Sequence, residues 1–427
     1  MTPCPPRLAY VCTVSGYNQP ELEACLQHRP QDLILIVSHG MEQSGAPERL
    51  EQVLKTRLPA TRIQRLGATT DMPFHGDDLC ENQHWIRHVL LPVLRQLAAE
   101  GAHCWLNFTG GTKTLSTALL FAYPWDLCEY KPNNSHWLLQ YHLITDDGQI
   151  RFNEIARLAL PSAPPLDIAR LHNPSCQQRS LNPLELKHPA LSTSLAAEIW
   201  QGLEHRDQGL TTLFSLLEML WDKPHKQTRI ETDWANLRQT YPHLDLTDET
   251  VGPWLTRLAQ LHPDAIQYTQ ETLSLPGPNA KKEAEQWKRW VSGDWLEQHL
   301  ANSLQHIGIP PEAIGRNLVV TDENSRGPTA GREADLLINW QGKTLLIEIK
   351  ADIPGSSRSI ELEKQISSLG DRFGSTSKIL FIGPQLHQKL QTKPGELERL
   401  EARCRQSHIR LLHRIDALQA EYLPRSN

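Results

Sequence analysis

No stretch of this chain approaches the roughly 18 consecutive apolar residues that a membrane-spanning helix needs. The N-terminus also lacks the basic-then-apolar pattern of a secretory signal, so a soluble, cytoplasmic protein is expected. Cysteine is sparse and scattered, at positions 4, 12, 25, 80, 104, 128, 176 and 404, with no Cys-x-x-Cys pair. That argues against a structural zinc site and against a disulfide framework. Cys12 and Cys104 lie in apolar, strand-like runs and read as buried thiols. Internal repeats and low-complexity tracts are missing, as are the GxxxxGK[ST] and GxGxxG phosphate-binding patterns.

What remains is an ordinary globular composition, 39% hydrophobic and 22% charged over 427 residues, enough for two or three domains with cores of their own. The net charge of −6 is unevenly spread. From Lys281 onward 21 Lys and Arg face 19 Asp and Glu, whereas residues 1–280 hold 22 against 30. The C-terminal part is the more basic, as a polyanionic substrate would favour.

Residues 1–155 alternate strand and helix patterns. Apolar runs at 8–14, 33–38, 63–66 and 103–108 read as strands, and 77–99 has helical period through Trp85, Val89, Val93 and Leu97. Residues 137–144 and 150–152 flank Asp146-Asp147-Gly148 as a hairpin. This order predicts a parallel, doubly wound sheet with binding loops at the strand C-termini. Residues 156–195 are proline-rich and read as an irregular linker. Residues 196–276 read as mostly helical, with Thr247 capping a helix to Leu261 and a strand pair at 265–275. That order suggests a winged-helix-like unit, serving either nucleic-acid contact or packing between domains.

Two motifs carry chemistry. Asn107-Phe-Thr109-Gly110-Gly111-Thr112-Lys113 follows a strand and opens a helix. Glycines allow close backbone approach, free helix-start amides attract an anion, and Lys113 adds a charge. An ordinary strand-to-helix turn would also want glycine. Further on, Gly331-Arg-Glu-Ala-Asp335 to Glu348-Ile349-Lys350 reads as a β-hairpin with strands at Leu336–Ile338 and Leu345–Ile349 and a turn over 339–342. Glu348 and Lys350 leave one strand face together, and Asp335 on the neighbouring strand can reach them. Carboxylates sharing a spot call for a divalent cation, and a lysine beside them can orient a water. A surface hairpin bearing a Glu–Lys pair is the bland alternative.

The first string closely resembles the Thr-Gly-Gly-Thr-Lys signature of CARF domains, the CRISPR-associated Rossmann-like sensors of cyclic oligoadenylates. The second resembles the PD-(D/E)xK nuclease core. The resemblance implies an α/β chain of three parts: a Rossmann-like CARF sensor (1–155), a linker and mostly helical segment (156–280), and a restriction-endonuclease-like α/β domain (281–427). It implies messenger contacts at Asn107, Thr109, Gly110, Gly111, Thr112 and Lys113. It also implies a ligand loop after the first strand, at Ser15, Gly16, Tyr17 and Asn18, with Ser38 and His39 after the second strand lining the same messenger pocket. It further implies Mg²⁺ or Mn²⁺ held by Asp335, Glu348 and the Ile349 carbonyl. Lys350 would act on the water, Glu297 would complete the shell, and Gln365 would support Lys350 from a helix at 359–369.

Together the two resemblances imply a homodimeric nuclease of type III CRISPR defence, switched on by cyclic tetra-adenylate. It would cleave single-stranded DNA or RNA, or nicked duplex DNA. The rival expectation is a CARF-domain transcriptional regulator that binds DNA through the middle segment without cleavage. A third keeps the fold and lets the sensor degrade its own activator.

Overall fold

The computed structural model describes residues 7–67, 72, 74–107, 110–121, 128–130, 141–144, 150–153, 162–221, 228–269, 271–276, 282–321, 331–340, 343–351, 373 and 376–420. The chain divides into two compact units. One comprises Met1–Cys176 with Asn339–Thr344 and Asp371–Ser375, the other Gln177–Ile338, Leu345–Gly370 and Thr376–Asn427.

In the first unit β1 (Leu8–Thr13), β2 (Asp32–Val37), β3 (Arg62–Gly67), β4 (His103–Asn107) and β5 (Cys128–Tyr130) form one sheet in the order β3-β2-β1-β4-β5. Every pairing in it is parallel. A parallel sheet buries both faces, which is why these strands read as continuous apolar runs. Ala9, Val11, Ile34 and Ile36 pack under Trp85, Leu90, Leu94 and Leu115. Tyr10, Cys12, Leu33 and Leu35 pack on the other side against Leu22, Leu50, Leu54 and Ile168. The helical stretch Leu79–Ala99 widens to a π-turn over Ile86–Leu90. Pro92 follows directly, and its nitrogen cannot donate an i−4 bond. A separate antiparallel pair joins β6 (Tyr141–Ile144) and β7 (Ile150–Asn153); the Asp146-Asp147-Gly148 turn lies outside the described residues.

The proline-rich stretch differs from the irregular linker expected. Helices run over Pro165–His172, Pro183–Lys187 and Pro189–Glu204, each starting on its proline. At a helix start the missing N–H has no intrahelical acceptor to lose, and the fixed φ suits the first turn, so here proline begins helices. Ile168 and Leu171 of the first of them join the first unit's core.

The second unit opens with β8 (Gln177–Gln178). Next, β9 (Arg229–Asp233), β10 (Gln267–Tyr268) and β11 (Thr272–Pro276) make a small antiparallel sheet in the order β10-β11-β9. The helix Asp248–Leu261 is capped by Thr247, whose hydroxyl accepts from the Thr250 amide at 3.3 Å, as the sequence predicts. A six-stranded sheet follows, ordered β16-β15-β14-β13-β12-β8, from β12 (Ile314–Thr321), β13 (Gly331–Trp340), β14 (Lys343–Lys350), β15 (Ser377–Ile382) and β16 (Ile409–Leu412). It is mixed: β12 pairs antiparallel with β13 and β8, and β15 pairs parallel with β14 and β16. The two hairpin strands are longer than expected. Asn339 and Trp340 continue β13 where a turn was anticipated. Asn favours turns when its amide must find local partners, but buried Asn339 finds them elsewhere in the fold. Among the described residues no helix is long and apolar enough to cross a membrane.

Candidate functional site

In the first unit the chain order turns around β1, which has β2 on one side and β4 on the other. The loops after β1 and β4 therefore flank the crevice at which doubly wound sheets take ligands. The loop after β1 locks itself. Asn18 Oδ1 accepts from the Ser15 amide at 2.8 Å, and Ser15 Oγ donates to the Tyr17 carbonyl at 2.7 Å. Asn18 is buried, while Gly16 is exposed with open space where a Cβ would stand.

After β4, Gly110 lies directly over Thr13 and Glu21. A Cβ there would run into Glu21 Oε1 and sit 2.9 Å from both the Thr13 carbonyl oxygen and its hydroxyl. Gly111 has φ +81°, which disfavours any side chain. Thr112 caps the helix Lys113–Phe121: its hydroxyl accepts from the Leu115 amide at 3.1 Å and donates to the Gly76 carbonyl. Lys113 is exposed at the helix start. Ser38 and His39 begin the helix after β2, and the exposed His39 ring stands 5.7 Å from that of His75. Asn107 is fully buried, its amide donating to the Tyr10 hydroxyl at 2.9 Å. Thr109 lies outside the described residues.

Glu21 escaped the sequence reading. It sits in the helix Gln19–His28, yet it is only 1% exposed and its Oε2 has no partner. Burial, with a smaller push from Glu23, raises its carboxyl to about 8. No sequence signal separates it from an exposed helical glutamate.

In the second unit, strand alternation sends Ile347 and Ile349 to the core and Glu348 and Lys350 to the other face. Lys350 Nζ is 2.6 Å from Glu348 Oε1 and 3.9 Å from Asp335 Oδ2. Asp335 Oδ2 also accepts from the Ile349 amide at 2.6 Å. The three predicted residues are thus brought together. Burial, then the neighbouring Glu348 carboxylate, lifts Asp335 to about 8. Burial opposes the charge on Lys350, but Asp335 and Glu348 outweigh it and hold the ammonium protonated. Glu297, on the helix Trp295–His306, is raised well above the usual carboxylate range by burial and then by the charge of Asp335.

The donor set suits a divalent cation. Glu348 Oε2 and Glu297 Oε2 are buried without hydrogen-bond partners, and the neighbouring Glu348 adds to the cost that burial sets on ionising Asp335. Among the described residues no three His, Cys, Asp or Glu side chains already converge as a metal-binding group. Asp335 and Glu348 would then be the side-chain ligands, with water filling other positions. Gln365 and its expected helix lie outside the described residues.

The fold is shared with solved proteins. The chain superposes on protein VC1899 from Vibrio cholerae with a TM-score of 0.63 at 16% identity, covering 97% of this chain and 96% of that one. It superposes on Can2 from Sulfobacillus thermosulfidooxidans, solved in complex with cyclic tetra-adenylate, with a TM-score of 0.56 at 13% identity, covering 97% of both chains. At such identities the likeness concerns fold. No protein-family model matches the sequence, and no curated protein matches it.

Proposed function

We propose that this chain is a nuclease of CRISPR defence, dependent on a divalent metal and activated by a cyclic oligoadenylate. The sensor is the Rossmann-like first unit, and the nuclease is the PD-(D/E)xK-like sheet of the second. The observation that carries the reading is the pairing, within one chain, of a glycine loop at a sheet switch point with the Asp335–Glu348–Lys350 cluster. A protein of the same fold binds cyclic tetra-adenylate, which supports that ring as the messenger.

Asp335, Glu348 and the Ile349 carbonyl would hold Mg²⁺ or Mn²⁺; such a cation, when bound, polarises a phosphodiester and acidifies water. Lys350, kept protonated by its two carboxylate neighbours, donates a hydrogen bond to the attacking water and stabilises charge growing on the phosphate. Glu297 supports the site through water. In the sensor, the backbone of Gly110 and Gly111 and the ammonium of Lys113 receive messenger phosphates. A ring with twofold symmetry suits two equivalent loops, so the working form is a homodimer.

The test incubates the protein with Mn²⁺, labelled DNA and RNA, and each cyclic oligoadenylate in turn. Cleavage that needs both the metal and one ring size is expected. DNA binding with no cleavage under any combination would favour the regulator instead.

A further inference from the structure

A buried polar network in the first unit begins at the loop after β1 and ends on the facing residues of β13 and β14. Gln19 and Glu23 are 1% exposed, Asn339 0% and Thr344 7%. Gln19 Nε2 donates to Glu23 Oε1 at 3.0 Å and to Asn339 Oδ1 at 2.8 Å. Asn339 Nδ2 donates to the same Glu23 oxygen at 3.0 Å and to the Ala163 carbonyl at 2.8 Å. Thr344 Oγ1 lies 3.0 Å from Gln19 Oε1 and 3.2 Å from Asn339 Oδ1. The Tyr17 hydroxyl donates to Gln19 Oε1 as well.

Both primary amides have every hydrogen engaged. Such a network has one well-paired arrangement, and displacing a member leaves buried groups unpaired, each costing about 1–3 kcal/mol. Apolar packing would tolerate a slide; this cluster does not. Its members are placed to matter. Tyr17 belongs to the loop at the switch point. Asn339 lies four residues beyond Asp335 on β13, and Thr344 four residues before Glu348 on β14. At about 3.3 Å per residue the cluster is roughly 13 Å from both carboxylates along two neighbouring strands.

We propose that Gln19, Asn339 and Thr344 are positioning residues that transmit the state of the Ser15–Asn18 loop to Asp335 and Glu348. The inference rests on the reading of that loop as part of the messenger site. A ligand that shifts Tyr17 drags or releases Gln19. Asn339 and Thr344 follow, because Gln19 offers them no second set of bonds. The strands then carry the change in register or tilt to the carboxylates. The ligand's energy enters as its preference for one arrangement of the network over the other.

The experiment compares the full-length chain with Thr344→Val, Thr344→Ser and Asn339→Ala. Three quantities are measured: direct binding of cyclic tetra-adenylate, cleavage with and without it, and thermal midpoint. Thr344→Val keeps the shape and loses the hydroxyl, so it guards against misfolding of the alanine variant. Expected is a loss of about tenfold in messenger-stimulated cleavage for Thr344→Val, with messenger affinity within about threefold and basal cleavage unchanged. Thr344→Ser, which keeps the hydroxyl, should restore stimulation. Full stimulation in a folded Thr344→Val variant, or equal losses in binding and stimulation, overturns the inference while leaving the functional reading standing. An unaltered chain that neither binds nor responds to the ring overturns the reading itself, and the inference with it.

Discussion

Glu348 and Lys350 share a strand face, and their roles should separate cleanly from ligand binding. Glu348→Ala or Lys350→Ala is expected to abolish cleavage and leave messenger affinity unchanged, read by titration and cleavage assays on one preparation. Full cleavage by either variant would remove the assignment. Lys113→Ala should weaken messenger binding by roughly 1.5–3 kcal/mol, the worth of a charged hydrogen bond, or about ten- to a hundredfold per contact. Saturating messenger should then restore cleavage, because the Asp335–Glu348–Lys350 cluster is untouched. Gly110 is more constrained than its neighbours. Any side chain there meets Glu21 and the Thr13 backbone, so Gly110→Ala is expected to lower unfolding stability by about 1–3 kcal/mol in urea melts. Gly16→Ala, with open space around it, should cost far less.

At the scale of elements, the strands of the first sheet were legible because their burial on both faces writes uninterrupted apolar runs such as Leu33 to Val37. The Asp335 and Glu348-x-Lys350 cluster was legible for a related reason: alternation along β14 sorts Ile from charge with no help from distant residues. The helices starting at Pro165, Pro183 and Pro189 were not, since proline reads as a breaker unless its place in the first turn is known. Asn339 reads as a turn residue for a similar reason. Its turn propensity was overridden by Glu23 and Ala163, partners more than 170 residues away in sequence.

For the molecule as a whole, pH should act on stability from both sides. His172 and His299 are held near 4, first by burial, so each is neutral when folded and must be charged to match the unfolded chain in acid. Their contribution is present above about 6.5 and is lost as pH falls toward 4. Glu21, raised to about 8, works in the opposite sense. Its contribution is complete below about 4.5 and declines by about 1.4 kcal/mol per pH unit as pH rises toward 8. Glu21→Gln should therefore flatten the alkaline side of the thermal-midpoint profile; an unchanged slope would mean that Glu21 is ionised in the fold. The chain should also be a homodimer before ligand is added, by light scattering at working concentration. A monomer that persists at saturating messenger would contradict the shared ligand site.

The sequence by itself determined the alternation of strands and helices, the glycine loop before Lys113 and the carboxylate–lysine strand, because each is written in residues only a few positions apart. Tertiary structure alone decided which loops meet. The order β3-β2-β1-β4-β5 puts the loops after β1 and β4 on one crevice, and no local pattern encodes strand order. It also decided that Glu21 is buried under Gly110 and that Gln19 bonds to Asn339, 320 residues away. A polar side chain looks alike in sequence whether it meets water or a buried partner, and only the closed fold distinguishes them.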